Sequence, residues 1–197
     1  MIEPLDPTDS GGRALALNNA HATELSFLEP ARFARLVRGA FLARRIGDID
    51  ALLLAFDQDA DYDSPNFRWF RERYSAFVYI DRIIIAKPYR GLGLGRVFYA
   101  DVTSYAETRV PLLACEVFLE PRDDVSVLFH GTYGFQEVGQ QTMPGVNRRV
   151  ALLAKDLCSY KFVRDTYLGG EGLPTVPWLA ERARSIAPAA KRAAGGV

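Results

Sequence analysis

Three alternating glycines, Gly91, Gly93 and Gly95, are bracketed by Arg90 and Arg96 and preceded by the apolar run Ile83-Ile84-Ile85. That spacing builds an anion site. Glycine lets the backbone approach a ligand closely, and a helix that starts after the loop aims its unsatisfied N–H groups at it. The two arginines add positive charge, so the expected guest is a phosphate or pyrophosphate. Two familiar phosphate loops do not fit. A dinucleotide fingerprint needs a glycine at position 96, which is Arg96, and a Walker loop needs a closing Gly-Lys-Ser/Thr, which is missing. Two carboxylates stand in apolar, strand-like runs: Glu116 in Cys115-Glu116-Val117, and Asp81 in Tyr79-Ile80-Asp81-Arg82. Carboxylates in such runs are seldom buried without a purpose. Each reads as a working group, an outward-facing residue or a partner for an arginine. Period-2 alternation sends Asp81 and Arg82 to opposite faces.

The elements that must position these groups follow from pattern. Residues 1–12 read as a flexible lead, and 14–17 as a short first strand. Phe33, Leu36, Val37 and Ala40 recur at helical spacing over 30–40, with Pro30 suited to the first turn. Residues 41–46 and 51–56 read as strands around the Gly47-Asp48 turn. Residues 57–74 read as a loop with a short helix, and 76–86 as the long central strand. Leu94, Val97, Phe98, Val102 and Tyr105 give the next helix one apolar face. A strand over 112–119 follows. Then comes a helix from 125 to about 133, capped by Asp123 or Asp124 and closed by Gly134. Residues 135–142 and 148–157 form a closing strand pair around Pro144-Gly145. The fold class is α/β. A further short helix is expected over 178–186, ahead of a mobile tail at 189–197.

The pattern Arg90-x-x-Gly93-x-Gly95, with its lead-in Lys87-Pro88-Tyr89-Arg90-Gly91, resembles the coenzyme A pyrophosphate loop of the GNAT acetyltransferase superfamily. The resemblance covers residues 14–157. It implies a domain over 1–157 with a mixed central sheet, splayed central strands and flanking helices, and leaves 158–197 as a C-terminal extension. It implies acetyl-CoA as co-substrate and direct transfer of acetyl to a primary amine of a small molecule or peptide. Arg90, Gly91, Leu92, Gly93, Leu94, Gly95 and Arg96 would then hold the pyrophosphate. The main chain of Ile83, Ile84 and Ile85 would pair with the pantetheine arm.

Amine acetylation needs a base for the amine, a polarised carbonyl and a proton for the departing thiolate. The resemblance places the base at Glu116, with Asp81 as the alternative. Relatives often carry an asparagine, then a tyrosine acid, ahead of a Gly-Phe pair. Counting back from Gly134-Phe135, this chain has Asp123 and His130 at those places. Asp123 is thereby a cofactor-side candidate. Phe129-His130 with Ser126 resembles a bacterial subgroup of predicted acetyltransferases with Phe-His there, and a histidine titrates near neutrality. Tyr133 is the alternative acid. Acceptor-side candidates are Asn19, His21, Asp63 and Asn66. The replaced tyrosine and asparagine leave a second class open: a coenzyme A-binding sensor or structural module without catalysis.

Composition sets outer limits. The 197 residues carry 24 Lys+Arg against 24 Asp+Glu, so no overall basic field favours nucleic acid. No apolar run is long enough for a membrane span. Met1-Ile2-Glu3-Pro4-Leu5-Asp6-Pro7 lacks the positive start of a signal peptide. The only cysteines, Cys115 and Cys158, sit in apolar strand-like runs and read as inert buried thiols in a reducing cytoplasm. No metal is expected, and a homodimer is compatible with the sequence.

Overall fold

The computed structural model describes residues 2–8, 12–23, 25–120, 123–143 and 148–168. Seven strands form one mixed sheet: β1 (Ile2–Pro4), β2 (Leu42–Ile46), β3 (Ala51–Asp57), β4 (Val78–Ile85), β5 (Leu112–Glu120), β6 (Gln136–Met143) and β7 (Arg148–Asp156). Their spatial order is β1-β2-β3-β4-β5-β7-β6. The helices are α1 (Arg13–Asn19), α2 (Pro30–Gly39), α3 (Pro65–Arg71), α4 (Leu94–Ala106), α5 (Asp124–Thr132) and α6 (Cys158–Val163). A 3₁₀ turn at Lys87–Tyr89 links β4 to the glycine loop, and a π-helical stretch, Arg164–Leu168, follows α6. Among the described residues, no helix is long and apolar enough to cross a membrane.

These residues gather into two compact units. The described residues of Met1–Phe56 and Arg82–Val102 form one, and those of Asp57–Asp81 and Thr103–Gly172 the other. In the first, β1, β2 and β3 are antiparallel neighbours. The unbroken apolar run of β3 is buried on both faces, with Leu52, Leu53 and Leu54 fully enclosed. Arg44 on β2, itself 5% exposed, reaches Asp101 on α4 at 3.0 Å, so a buried charge is paired. In the second unit, β5 pairs with β7 from Leu112↔Asp156 to Glu120↔Arg149, and β7 pairs with β6. The parallel β4–β5 ladder is short, Val78↔Leu113 and Tyr79↔Ala114, as the expected splay requires. Ser64 caps α3, and Phe67 and Phe70 on that helix are fully buried with Phe77 and Tyr79. Phe67 meets the Tyr62, Phe77 and Tyr79 rings at centroid distances of 5.5, 5.6 and 5.7 Å, so one aromatic cluster seats the helix on the sheet.

Three expectations are corrected. Residues 14–17 are helical within α1, not a strand. Ala14 and Asn18, four residues apart, form the helix's buried stripe, and the Asn18 amide is satisfied there. Part of the supposedly flexible lead is ordered as β1. Leu5 is 4% exposed and its N–H bonds the Ala43 carbonyl, while Glu3 pairs with Arg45. Cys115 is buried as expected, but Cys158 is exposed at the start of α6, because β7 ends at Asp156 and the last inward apolar residue is Leu157. The expected turn at Pro144-Gly145, the helix over 178–186 and the tail at 189–197 lie outside the described residues.

Candidate active site

In the first unit, the glycine loop takes the shape its sequence implies. Tyr89 N–H bonds the Ala86 carbonyl, and Arg90 Nε donates to the Ile85 carbonyl at 3.1 Å, which folds the arginine back against the end of β4. Gly91 and Gly93 both have φ +80°, a left-handed conformation that side-chain-bearing residues resist. Leu94 opens α4. Its first capping bonds run from Arg96 and Val97 N–H to the Gly93 carbonyl, so the amides ahead of Arg96 are the helix's unsatisfied donors. A Cβ added at Gly91 or Gly93 would meet no atom within 4 Å, and Arg90, Gly91, Leu92, Gly93 and Arg96 are all exposed. An open, donor-rich loop flanked by two arginines fits a pyrophosphate. Asp50, in the β2–β3 turn, secures the loop's base. Its carbonyl accepts from Ala86 N–H, and its carboxylate accepts from the Tyr89 hydroxyl, which raises that phenol's pKa.

The same unit places two acceptor-side candidates. Asn19 Nδ2 donates to the Leu28 carbonyl at 2.9 Å, and its Oδ1 accepts from Leu28 N–H at 3.0 Å and from Asn18 Nδ2 at 2.9 Å. His21 is buried at 7% exposure, and its N–H bonds the Asn18 carbonyl. Arg82 is buried too, and Nη1 donates to Asn18 Oδ1 at 2.5 Å. Arg82 and Asp81 thus point to opposite faces of β4, as alternation requires.

In the second unit, the two candidate carboxylates each receive a phenol. The Tyr79 hydroxyl donates to Glu116 Oε2, and the Tyr62 hydroxyl donates to Asp81 Oδ1. Strand geometry explains the grouping. Tyr79 and Asp81 lie two residues apart on one face of β4, and the Tyr79↔Ala114 register puts Glu116, two residues past Ala114, on that same face. Tyr79 is fully buried. Burial first, then the charges of Glu116 and Asp81, hold its phenol well above its usual pKa of 10.0, so it is a donor at neutral pH. Asp63 is exposed. Asn66 is 1% exposed, and its Oδ1 has no hydrogen-bond partner among the described residues.

Helix α5 in the second unit carries the acid candidates. Asp123 is its N-cap, accepting from Ser126 N–H at 3.0 Å. His130 Nδ1 lies 2.7 Å from the Ser126 carbonyl, which can only accept, so Nδ1 carries a proton and the neutral ring keeps its lone pair on Nε2. Burial lowers the His130 pKa, against smaller opposing effects from the Ser126 carbonyl and the Asp123 charge. Tyr133 ends the helix, half-buried, its ring 4.9 Å from Phe129.

No protein-family model matches the sequence, and no curated protein matches it. Solved structures do. An acetyltransferase of the GNAT family from Streptococcus pneumoniae superposes with TM-score 0.57 at 16% identity, over 79% of this chain and 98% of its own. The ribosomal-protein-S18-alanine N-acetyltransferase of Escherichia coli gives TM-score 0.55 at 15% identity, over 80% and 93%. Arabidopsis thaliana NAA60, solved with acetyl-CoA, gives TM-score 0.57 at 14% identity, over 79% and 97%. The chain has the GNAT fold. The sequence did not mark the hydroxyls of Tyr79 and Tyr62 as the partners of Glu116 and Asp81.

Proposed function

We propose that the protein is an N-acetyltransferase that moves an acetyl group from acetyl-CoA to a primary amine by direct attack. The observation that carries this reading is the loop of Gly91 and Gly93 at the N-terminus of α4, in a chain whose fold is that of GNAT acetyltransferases. Arg90 to Arg96 bind the pyrophosphate through helix-terminal amides and guanidinium charge. The main chain of Ile83 and Ile84 is offered to the pantetheine amides. The Ile85 carbonyl already accepts from Arg90. Glu116 takes the proton of the amine as its nitrogen bonds the thioester carbonyl carbon, and the carbon–sulfur bond breaks. Asp81 is the alternative base.

Helix α5 supplies the proton for the departing thiolate. His130 could donate from Nε2 only as imidazolium, which its burial disfavours. Tyr133, at the end of the same helix, carries a hydroxyl that can donate to the thiolate and is the other candidate for this step. Asn66, buried with a carbonyl oxygen unmatched among the described residues, is the strongest of the acceptor-side candidates, since a bound ammonium or N–H would satisfy it.

The test is release of coenzyme A thiol from acetyl-CoA across amino acids, polyamines, aminoglycosides and peptide N-termini. Peptides beginning with alanine head the panel, given the named activity of the Escherichia coli structure. Turnover with at least one amine, largely lost in Glu116→Gln, is expected. Coenzyme A binding without turnover of any amine would replace this reading with the non-catalytic module.

A further inference from the structure

We infer that Asp50 is a positioning residue for the glycine loop: from the β2–β3 turn it fixes Tyr89, and through it Arg90, in place for an anionic guest. The inference rests on the reading of that loop as the coenzyme A site. All its parts lie within the first unit. Asp50 grips the loop twice. Its carbonyl accepts from Ala86 N–H at 2.9 Å, and its carboxylate accepts from the Tyr89 hydroxyl. Between the two grips the chain makes one 3₁₀ turn, closed by Tyr89 N–H on the Ala86 carbonyl at 2.9 Å. Arg90 follows directly, so where Tyr89 is held decides where the Arg90 side chain starts on its way to the Ile85 carbonyl.

The turn that carries Asp50 keeps it still. Asp50 N–H bonds the Ile46 carbonyl at 2.9 Å. The carboxylate folds back over Gly47, where an added Cβ would lie only 2.7 Å from Asp50 Cγ, so glycine leaves the room it occupies. Ile49 takes φ +66°, an outlier for a β-branched residue, and its side chain is 8% exposed. Backbone strain of this kind persists only where the surroundings over-determine it, and it gathers at sites that must be preset. The charge of Asp50 does not explain its place, because a carboxylate this near a phosphate loop repels an anionic guest. What it offers is an acceptor, and a bond donated to an ionised group is among the stronger ones. Its benefit to binding therefore runs through Tyr89.

The experiment measures coenzyme A affinity by calorimetry in Asp50→Ala, Asp50→Asn, Tyr89→Phe and the double variant Asp50→Ala/Tyr89→Phe. Thermal melting verifies each fold, and Tyr89, 38% exposed, is a mild site to change. The dissociation constant should rise about fivefold in Asp50→Ala and in Tyr89→Phe, and no further in the double variant. Asp50→Asn also removes the charge but keeps an acceptor oxygen, so it should bind more tightly than Asp50→Ala. KM for acetyl-CoA should follow these shifts while kcat stays at the parent value. Hydrogen exchange at the Tyr89 amide, read by NMR without ligand, should quicken in Asp50→Ala. Parent-like affinity in Asp50→Ala overturns the inference. So do losses that add in the double variant, an Asp50→Asn no better than Asp50→Ala, or a loss confined to kcat. With a parent that binds no coenzyme A, exchange decides. Quicker exchange in Asp50→Ala keeps the brace while the coenzyme reading falls, and unchanged exchange overturns the brace.

Discussion

Replacing Gly93 with alanine should cost about 1 kcal/mol, read either in stability or in the affinity of the proposed coenzyme A site, and the structure says through what. The residue sits at φ +80°, and an added Cβ would meet no atom within 4 Å, so crowding is not the mechanism. The cost is backbone strain, about 1–2 kcal/mol for a side-chain-bearing residue in the left-handed region. Alanine also narrows the unfolded ensemble, which offsets about 0.4–1 kcal/mol. Where the difference appears depends on the exposed loop. If it keeps its geometry, stability falls without ligand. If it relaxes, the coenzyme A dissociation constant rises about fivefold instead. Urea denaturation with coenzyme A at saturation captures the sum either way and should show the whole loss. Gly93→Asn should lose less, because asparagine tolerates this region. An alanine variant as stable and as tightly binding as the parent, or an asparagine variant worse than alanine, would refute the reasoning.

Two further outcomes follow from the second unit. Gly139 packs so closely on the Trp69 ring that a Cβ there would lie 2.6 Å from Cζ2, while Arg73 covers that ring at 4.1 Å. Gly139→Val should therefore cost about 1–3 kcal/mol in urea denaturation and shift tryptophan emission as Trp69 is displaced. For His130, burial lowers the folded-state pKa below the unfolded value of about 6.5, so the unfolded chain binds the proton more readily. This contribution to stability is present above the unfolded value and is lost as pH falls from there through the folded one. His130→Gln should lose less stability than the parent across that window, and equal slopes would remove the argument.

Legibility followed the length of each pattern. The long periodic runs of β3, β4 and α4 and the capping signals of α5 read correctly, because many residues repeat one message. Residues 14–17 did not, since four apolar residues are compatible with either a strand or a helical turn. The deciding residue, Asn18, completes the buried face of α1 while being polar, so it hides from a hydrophobic pattern. Cys158 looked interior because the apolar run of β7 leads up to it, and no local feature marks Leu157 as its last inward residue. At the site, the loop was readable since glycine, arginine and a helix start state their chemistry by type. Tyr79 meets Glu116 across neighbouring strands 37 residues apart in sequence, and Tyr62 reaches Asp81 from a loop 19 residues away, so neither pairing shows in a local pattern.

The two bonds that Asn19 exchanges with the backbone of Leu28 have a consequence for how this chain can change over generations. One side-chain amide stands in for a strand neighbour and clamps both ends of the connection between α1 and α2. The Asn18 amide adds a further tie within the connection, donating to the Ser26 carbonyl at 3.2 Å. Lengthening such a connection costs only about 0.6 kcal/mol per doubling. Insertions between His21 and Phe27, the latter already 64% exposed, should be accepted with α1 and α2 undisturbed, whereas Asn19→Ala should turn the same insertions into folding defects. The clamp makes this stretch a place where loop length can diversify while the scaffold stays constant.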